Sequence, residues 1–170
     1  MKENRRSLVT EFVDKFSVTD EEAEAFCDPD WIIENLIIEG HITVVAGAPN
    51  AGKTTILFSL CPLMAQKGYQ VHYINDDTAP GDAKAMRAVS NQSRFNLLLP
   101  SMKGGSMRDV VRWLQQIRNT GEDLRRHVFI CDTLKKMTSV MDKDEASGLF
   151  SLLRGLVGQG ATFILLAHTN

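Results

Sequence analysis

The sequence predicts an α/β fold of three layers, with a mostly parallel central sheet covered by helices on both faces. Three observations carry this expectation. Segments of strand length alternate with segments of helical periodicity from residue 41 to residue 168. Two of the strand segments, around residues 128–131 and 163–166, are apolar without a break, as burial on both faces requires. A glycine-containing segment, GAPNAGKT at 47–54, joins the apolar run Ile42 to Ala46 directly to the helix after it.

Residues 7–26 set Leu8, Phe12, Val13, Phe16, Ala23 and Phe26 among acids and lysines. This is the pattern of one or two short amphipathic helices, with Thr19 and Glu22 spaced as a capping box. CDPDW, 27–31, marks a turn, and WIIENLIIEG runs from Trp31 to a stop at Gly40. HITVVAG, 41–47, is the first strand of the sheet. The helix after it covers 53–67 and stops at Gly68, a suitable C′ residue. QVHYIN, 70–75, is the second strand and ends in Asn75, Asp76 and Asp77. A helix over 80–93 has Pro80 near its start. FNLLLP, 95–100, is a short third strand stopped by Pro100, and Gly104 with Gly105 makes a loop. Met107, Val110, Val111, Leu114 and Ile117 define an amphipathic helix over 107–119. HVFICD, 127–132, is the fourth strand, 143–158 a further helix, and ATFILLAH, 161–168, the fifth strand. Residues 1–30 thus form a helical segment ahead of a core over 31–170.

At 170 residues the chain can bury a substantial core in one domain. A net charge of −2 gives no overall attraction to nucleic acid, although a local basic patch remains compatible with it. Cys27, Cys61 and Cys131 are far apart and odd in number, which fits reduced thiols of a cytoplasmic protein. The opening MKENRRSLVTEF holds no apolar signal region, and no apolar run approaches the ~18 residues of a membrane span.

GAPNAGKT fits G-x-x-x-x-G-K-[ST], the phosphate-binding loop of P-loop NTPases, in the strand–loop–helix setting that the motif requires. Gly47 and Gly52 allow the backbone to approach closely, while Ala48, Pro49, Asn50 and Ala51 complete the loop around ATP. Backbone N–H groups and the start of the helix face the phosphates. Lys53 is a point charge for the β- and γ-phosphates, Thr54 offers a hydroxyl to Mg²⁺, and Thr55 is placed to donate to the α-phosphate.

Asp132 closes a strand of four apolar residues and stands where open α/β sheets bind ligands. There it can hold the Mg²⁺ water shell, or alternatively cap the next turn. Thr133 follows it, so an acid to activate water must come from elsewhere. Asp76 and Asp77 are the two candidates, with Asn75 a weaker third; a solvated acidic turn is the competing reading. His168 ends the fifth strand on the γ-phosphate side, where it can report nucleotide state or simply meet solvent.

DWIIENLIIEGHITVVAGAPNAGKTT, VHYINDD, VFICDTL and FILLAHTN together resemble the RecA-like ATPase core. The likeness is closest to RepA-type and DnaB-type hexameric replicative helicases and their KaiC-like relatives, over about residues 30–170. It implies a Walker A loop at 47–55, a Walker B aspartate at Asp132, and Asp76 or Asp77 at the catalytic glutamate's place. It implies a sensor role for His168 and a Walker A strand lying centrally beside the Walker B strand. It also implies assembly into a ring or filament and action on single-stranded DNA. Two departures stand out. Aspartate replaces the usual glutamate, and the chain stops two residues after the sensor strand, as in a truncated core. No arginine finger can be assigned: Arg118, Arg125, Arg126 and Arg154 read as surface charges. Lys135, Lys136 and Lys143 lie where the family places a DNA-facing loop, but acids interleave with them and a solvated loop is favoured. A nucleotide kinase lacks its arginine-rich lid here. A nucleotide-binding regulator that hydrolyses ATP poorly is the stronger alternative.

Overall fold

The computed structural model describes residues 7–25, 30–138 and 143–169. Two short helices come first, α1 (Leu8–Phe16) and α2 (Asp20–Glu24). Ser7 caps α1 through the Val9 N–H, and Thr19 with Glu22 forms the expected capping box on α2. Neither helix buries a residue. Of the proposed turn at 27–31, residues 27–29, Cys27 included, lie outside the described residues.

WIIENLIIEG folds as an antiparallel hairpin, β1 (Trp31–Ile33) with β2 (Ile37–Ile38). Asn35 turns it with φ of 56°. Ile32 and Ile37 are fully buried, and Lys67 donates to the Ile32 carbonyl, which fastens the hairpin to the following helix.

The rest alternates as expected: β3 (Ile42–Gly47), α3 (Lys53–Gln66), β4 (Gln70–Asn75), α4 (Pro80–Ser93) and β5 (Asn96–Leu98). After them come α5 (Met107–Thr120), β6 (His127–Asp132), α6 (Leu134–Met137), α7 (Lys143–Val157) and β7 (Thr162–His168). The third strand is shorter than its apolar run suggested. Pro100 opens a 3-10 turn, Pro100–Lys103, instead of merely stopping the strand.

The five main strands are all parallel, in the order β3-β7-β6-β4-β5. This corrects the expected neighbourhood of the Walker A and Walker B strands. The sensor strand β7 pairs with both β3 and β6 and separates them, and β3 lies at one edge of the described sheet.

Side-chain alternation then assigns each face. Val71, Tyr73, Val128, Ile130, Ile164 and Leu166 pack toward Leu57, Cys61 and Met64 of α3. Phe129, Cys131, Phe163 and Leu165 pack against α5 and α7 on the other face. The same period of two places Asn75, Asp132 and His168 at strand C-termini on the α3 side. Cys61 and Cys131 are free and buried, and burial pushes both thiols up to about 12, so they are inert packing groups. Among the described residues, no helix is long and apolar enough to cross a membrane.

Candidate nucleotide site

Gly52 opens α3 in the left-handed region, with φ of 78°, and Asn50 just before it has φ of 61°. An L side chain adopts that backbone at a cost, which is why glycine suits position 52. No side chain caps α3. Its first-turn N–H groups have no carbonyl of their own helix to bond, and the helix dipole adds positive potential at the same end. Such an end is suited to an anion.

Lys53 is nine-tenths buried and reaches back across the loop. Its Nζ donates to the carbonyls of Gly47 and Ala48, both at 2.7 Å, and lies 3.3 Å from His168 Nδ1. Among the described residues no carboxylate forms a salt bridge with this ammonium, so a buried cation faces the cavity. A phosphate oxygen fits that donor. The register explains His168: Gly47 and His168 are direct partners across β3 and β7.

Thr54 Oγ1 donates to Asp132 Oδ2 at 2.7 Å. The same oxygen accepts from Tyr73 at 2.9 Å and from Asn75 Nδ2 at 3.0 Å. Asp132 is only 2% exposed, and three donors offset the cost of burying its charge. Burial first, and the Asp132 charge second, push the Tyr73 phenol well above its ordinary value, so it stays a donor at any physiological pH. Hydroxyl and carboxylate oxygen side by side are the hard donor set that Mg²⁺ selects. Ala48 and Pro49 are exposed on the loop, and Asp132 joins Thr133 through a cis peptide.

The two acidic candidates separate in space. Asp77 lines the cavity of about 750 Å³ that also contains Asn50 to Thr55, Asn75, Asp132 and His168. Asp76 is not on it. Its Oδ1 accepts from the Ser101 N–H at 2.8 Å and so anchors the 3-10 turn. Asn75 links the two halves of the site, because its Oδ1 accepts the Asp77 N–H at 2.7 Å. Lys136 contacts both acids, at 2.5 Å from Asp77 Oδ1 and 3.9 Å from Asp76 Oδ2, and donates to the Asp76 carbonyl. Lys136 is exposed, as the solvated reading expects, but it lies in α6 instead of a loop.

Sequence reasoning missed Tyr73, Phe58 and Asp82. The first clasps Asp132 and the other two line the cavity. The alternation Val71, Tyr73, Asn75 held the signal for Tyr73, since it shares a face with the strand's last polar residue. Of the arginines considered, Arg125 pairs with Asp123 and Arg126 donates to the Lys67 carbonyl over the Tyr69 ring. None of the four lines the cavity.

A parallel sheet carrying this loop, lysine, threonine and strand-end aspartate defines a RecA-like P-loop protein, a nucleotide-binding protein of ATPase type. The chain belongs to the AAA domain family AAA_25, whose model matches residues 6–170. No curated protein sequence matches it. Among solved structures it is similar to the flagellar accessory protein FlaH from Methanocaldococcus jannaschii. That match has a TM-score of 0.53 and 15% identity, covering 81% of this chain and 64% of FlaH. It is also similar to the ATP synthase subunit NeqB from Nanoarcheaum equitans, with a TM-score of 0.55 and 10% identity, covering 79% of this chain and 41% of NeqB. At such identities the likeness is one of fold. The chain spans less than two thirds of either protein.

Proposed function

We propose that this chain binds ATP with Mg²⁺ and hydrolyses it, as a self-associating, helicase-like ATPase acting on DNA in replication or recombination. The observation that carries the reading is the meeting of Lys53, Thr54, Asp132 and Asp77 around one cavity. Lys53 binds the β- and γ-phosphates, and Thr54 with Asp132 holds the Mg²⁺, which neutralises charge on the phosphates. Asp77 accepts a proton from water as its oxygen bonds to the γ-phosphorus. The bond to the bridging oxygen breaks, and ADP and phosphate leave. His168 beside Lys53 senses whether the γ-phosphate is present. With no arginine among the residues lining the cavity, a neighbouring copy supplies the cation for the transition state. The DNA part comes from the resemblance of the segments DWIIENLIIEGHITVVAGAPNAGKTT, VHYINDD, VFICDTL and FILLAHTN to replicative helicases.

One observation favours a second reading, a nucleotide-binding regulator that turns over poorly. Lys136 ties up Asp77, and an aspartate reaches less far than the glutamate usual at this place. Steady-state ATP hydrolysis by the purified chain, with and without single-stranded DNA and across protein concentration, separates the two. Turnover rising with both supports the DNA-coupled assembly. Flat, negligible turnover with intact ATP binding supports the regulator.

A further inference from the structure

The sheet ends on one side at β5, and that edge carries a second cavity. It is a groove of about 920 Å³ between α4, the 3-10 turn and α5, and no residue lines both it and the nucleotide cavity. Strand alternation builds its floor. Register sets Ile74 beside Leu98, on the face opposite Tyr73, and Phe129 of β6 joins them. Ile74 and Phe129 belong to the buried core, whereas Leu98 is 41% exposed, so the groove reaches from the surface down to the core.

Val110, Trp113 and Ile117 form one wall, spaced as a single face of α5. Met107 and Leu114 are buried and pin that helix to the sheet. The 3-10 turn adds Pro100, Met102 and Lys103. Two hydrogen bonds hold the turn in place, from the Ser101 N–H to Asp76 and from the Gly105 N–H to the Pro100 carbonyl at 3.0 Å. The walls are therefore pre-formed, as in most small-molecule sites. Trp113 stands 64% exposed in this concave setting, where an apolar body would take it out of water.

The polar groups of the groove are few and mostly of one sign. Lys84, Arg87 and Lys103 line it, and all three are exposed. Among the described residues neither Lys84 nor Lys103 forms a salt bridge. The one acid on the lining, Asp109, is already held by Ser106 and Arg112. That balance suits an anionic head on an apolar body. Depth sets the size of the occupant. A docked helix or a stacked base would cover exposed groups such as Trp113 and Met102 and leave the floor at Ile74 and Phe129 uncovered. A slender apolar body reaches that floor, and small-molecule sites have volumes of about 300–1,000 Å³.

We propose that this groove binds a small amphipathic anion, an acyl or aryl body with a single anionic head. The body lies on Leu98, Phe129 and Trp113, and Lys84, Arg87 and Lys103 receive the head. The site is independent of the nucleotide reading.

Isothermal titration calorimetry of the full chain tests it, with decanoate as the acyl anion, anilinonaphthalene sulfonate as the aryl anion and decanol as the neutral match to decanoate. Saturable binding at one site per chain is expected, with a dissociation constant on the order of tens of micromolar. Decanol is expected to bind at least about tenfold more weakly than decanoate. Binding of only one of the two anions supports the site and fixes its body as acyl or aryl. The bound anion should move tryptophan emission to shorter wavelength. Trp113→Phe should still bind but lose that shift, although Trp31 remains. Lys84→Gln with Lys103→Gln changes exposed side chains only. It is expected to weaken the anion about tenfold and decanol not at all, with an unchanged thermal midpoint. Phe12→Ser with Phe16→Ser removes exposed apolar groups of α1 and should leave binding unchanged. No saturable binding of either anion, decanol as tight as decanoate, a shift that survives in Trp113→Phe, unchanged anion affinity in the double lysine variant, or lost binding in the α1 variant overturns the proposal. So does an affinity that falls as the protein concentration rises, which would put a second copy in the groove.

Discussion

Thr54 and Asp132, 78 residues apart in sequence, meet through a 2.7 Å hydrogen bond from Oγ1 to Oδ2. Neither residue is informative alone, since a threonine opening a helix and an aspartate closing a strand are both ordinary. Their contact follows from two rules acting together. Parallel strands end on the same side of a sheet, and alternation turns Asp132 toward the face that α3 covers.

The acidic pair should separate functionally as it does spatially. Asp77→Asn is expected to lower kcat about 10²- to 10⁴-fold with ATP affinity unchanged, because it removes the base and keeps the shape. Asp76→Asn keeps an oxygen for the Ser101 N–H and should stay within a few-fold of wild type. Phosphate release at saturating ATP reads both. Full turnover in both variants would place the catalytic acid elsewhere.

Tyr73→Phe deletes one of the three donors to Asp132 while keeping the ring against Phe58, whose centroid lies 5.1 Å away. The buried carboxylate is then short of one partner. A loss of about 1–3 kcal/mol is expected, which for a chain of this size lowers the thermal midpoint by several degrees. Calorimetry of the variant beside wild type measures it, and an unchanged midpoint would mean that the phenol contributes nothing net.

At the opposite end of the sheet, His72 lies between the His127 and Phe129 rings. Burial, and then the charge of His127, hold its imidazole down near about 4, against an ordinary 6.5. The unfolded chain therefore takes up a proton between these values while the folded chain does not. Stability is complete above pH 6.5 and falls as pH drops through that window. Urea midpoints should report a loss on the order of 1–2 kcal/mol from this group between pH 7 and pH 5. His72→Phe should flatten that slope, and an equally steep slope in the variant would assign it to other groups.

The local patterns were legible because they need only neighbours in sequence. The loop at 47–54, the capping box of Thr19 and Glu22, and the polar strand ends at Asn75, Asp132 and His168 are all of this kind. Sheet order was not, because β3 meets β7 across some 120 residues and nothing in either strand names its partner. The hairpin at 31–38 has strands of three and two residues, too short to show a period. The four-residue α6 and the 3-10 turn at Pro100 fall below the same limit. Tyr73 looked like a core aromatic and is one, and its hydroxyl gained a role only when β6 lay beside β4. Lys136 looked like a loop cation, and only folding brings it to Asp77.

The most direct test of the central claim is an equilibrium titration of the full chain with a fluorescent ATP analogue and Mg²⁺, repeated on Lys53→Ala. Lys53 is the buried cation that the cavity leaves for an anion. A charge-assisted hydrogen bond of about 1.5–3 kcal/mol corresponds to an affinity loss of roughly 10- to 150-fold. The account predicts saturable binding at one site per chain, weakened by that factor in the variant. No binding by wild type, or equal affinity in the two proteins, would contradict it.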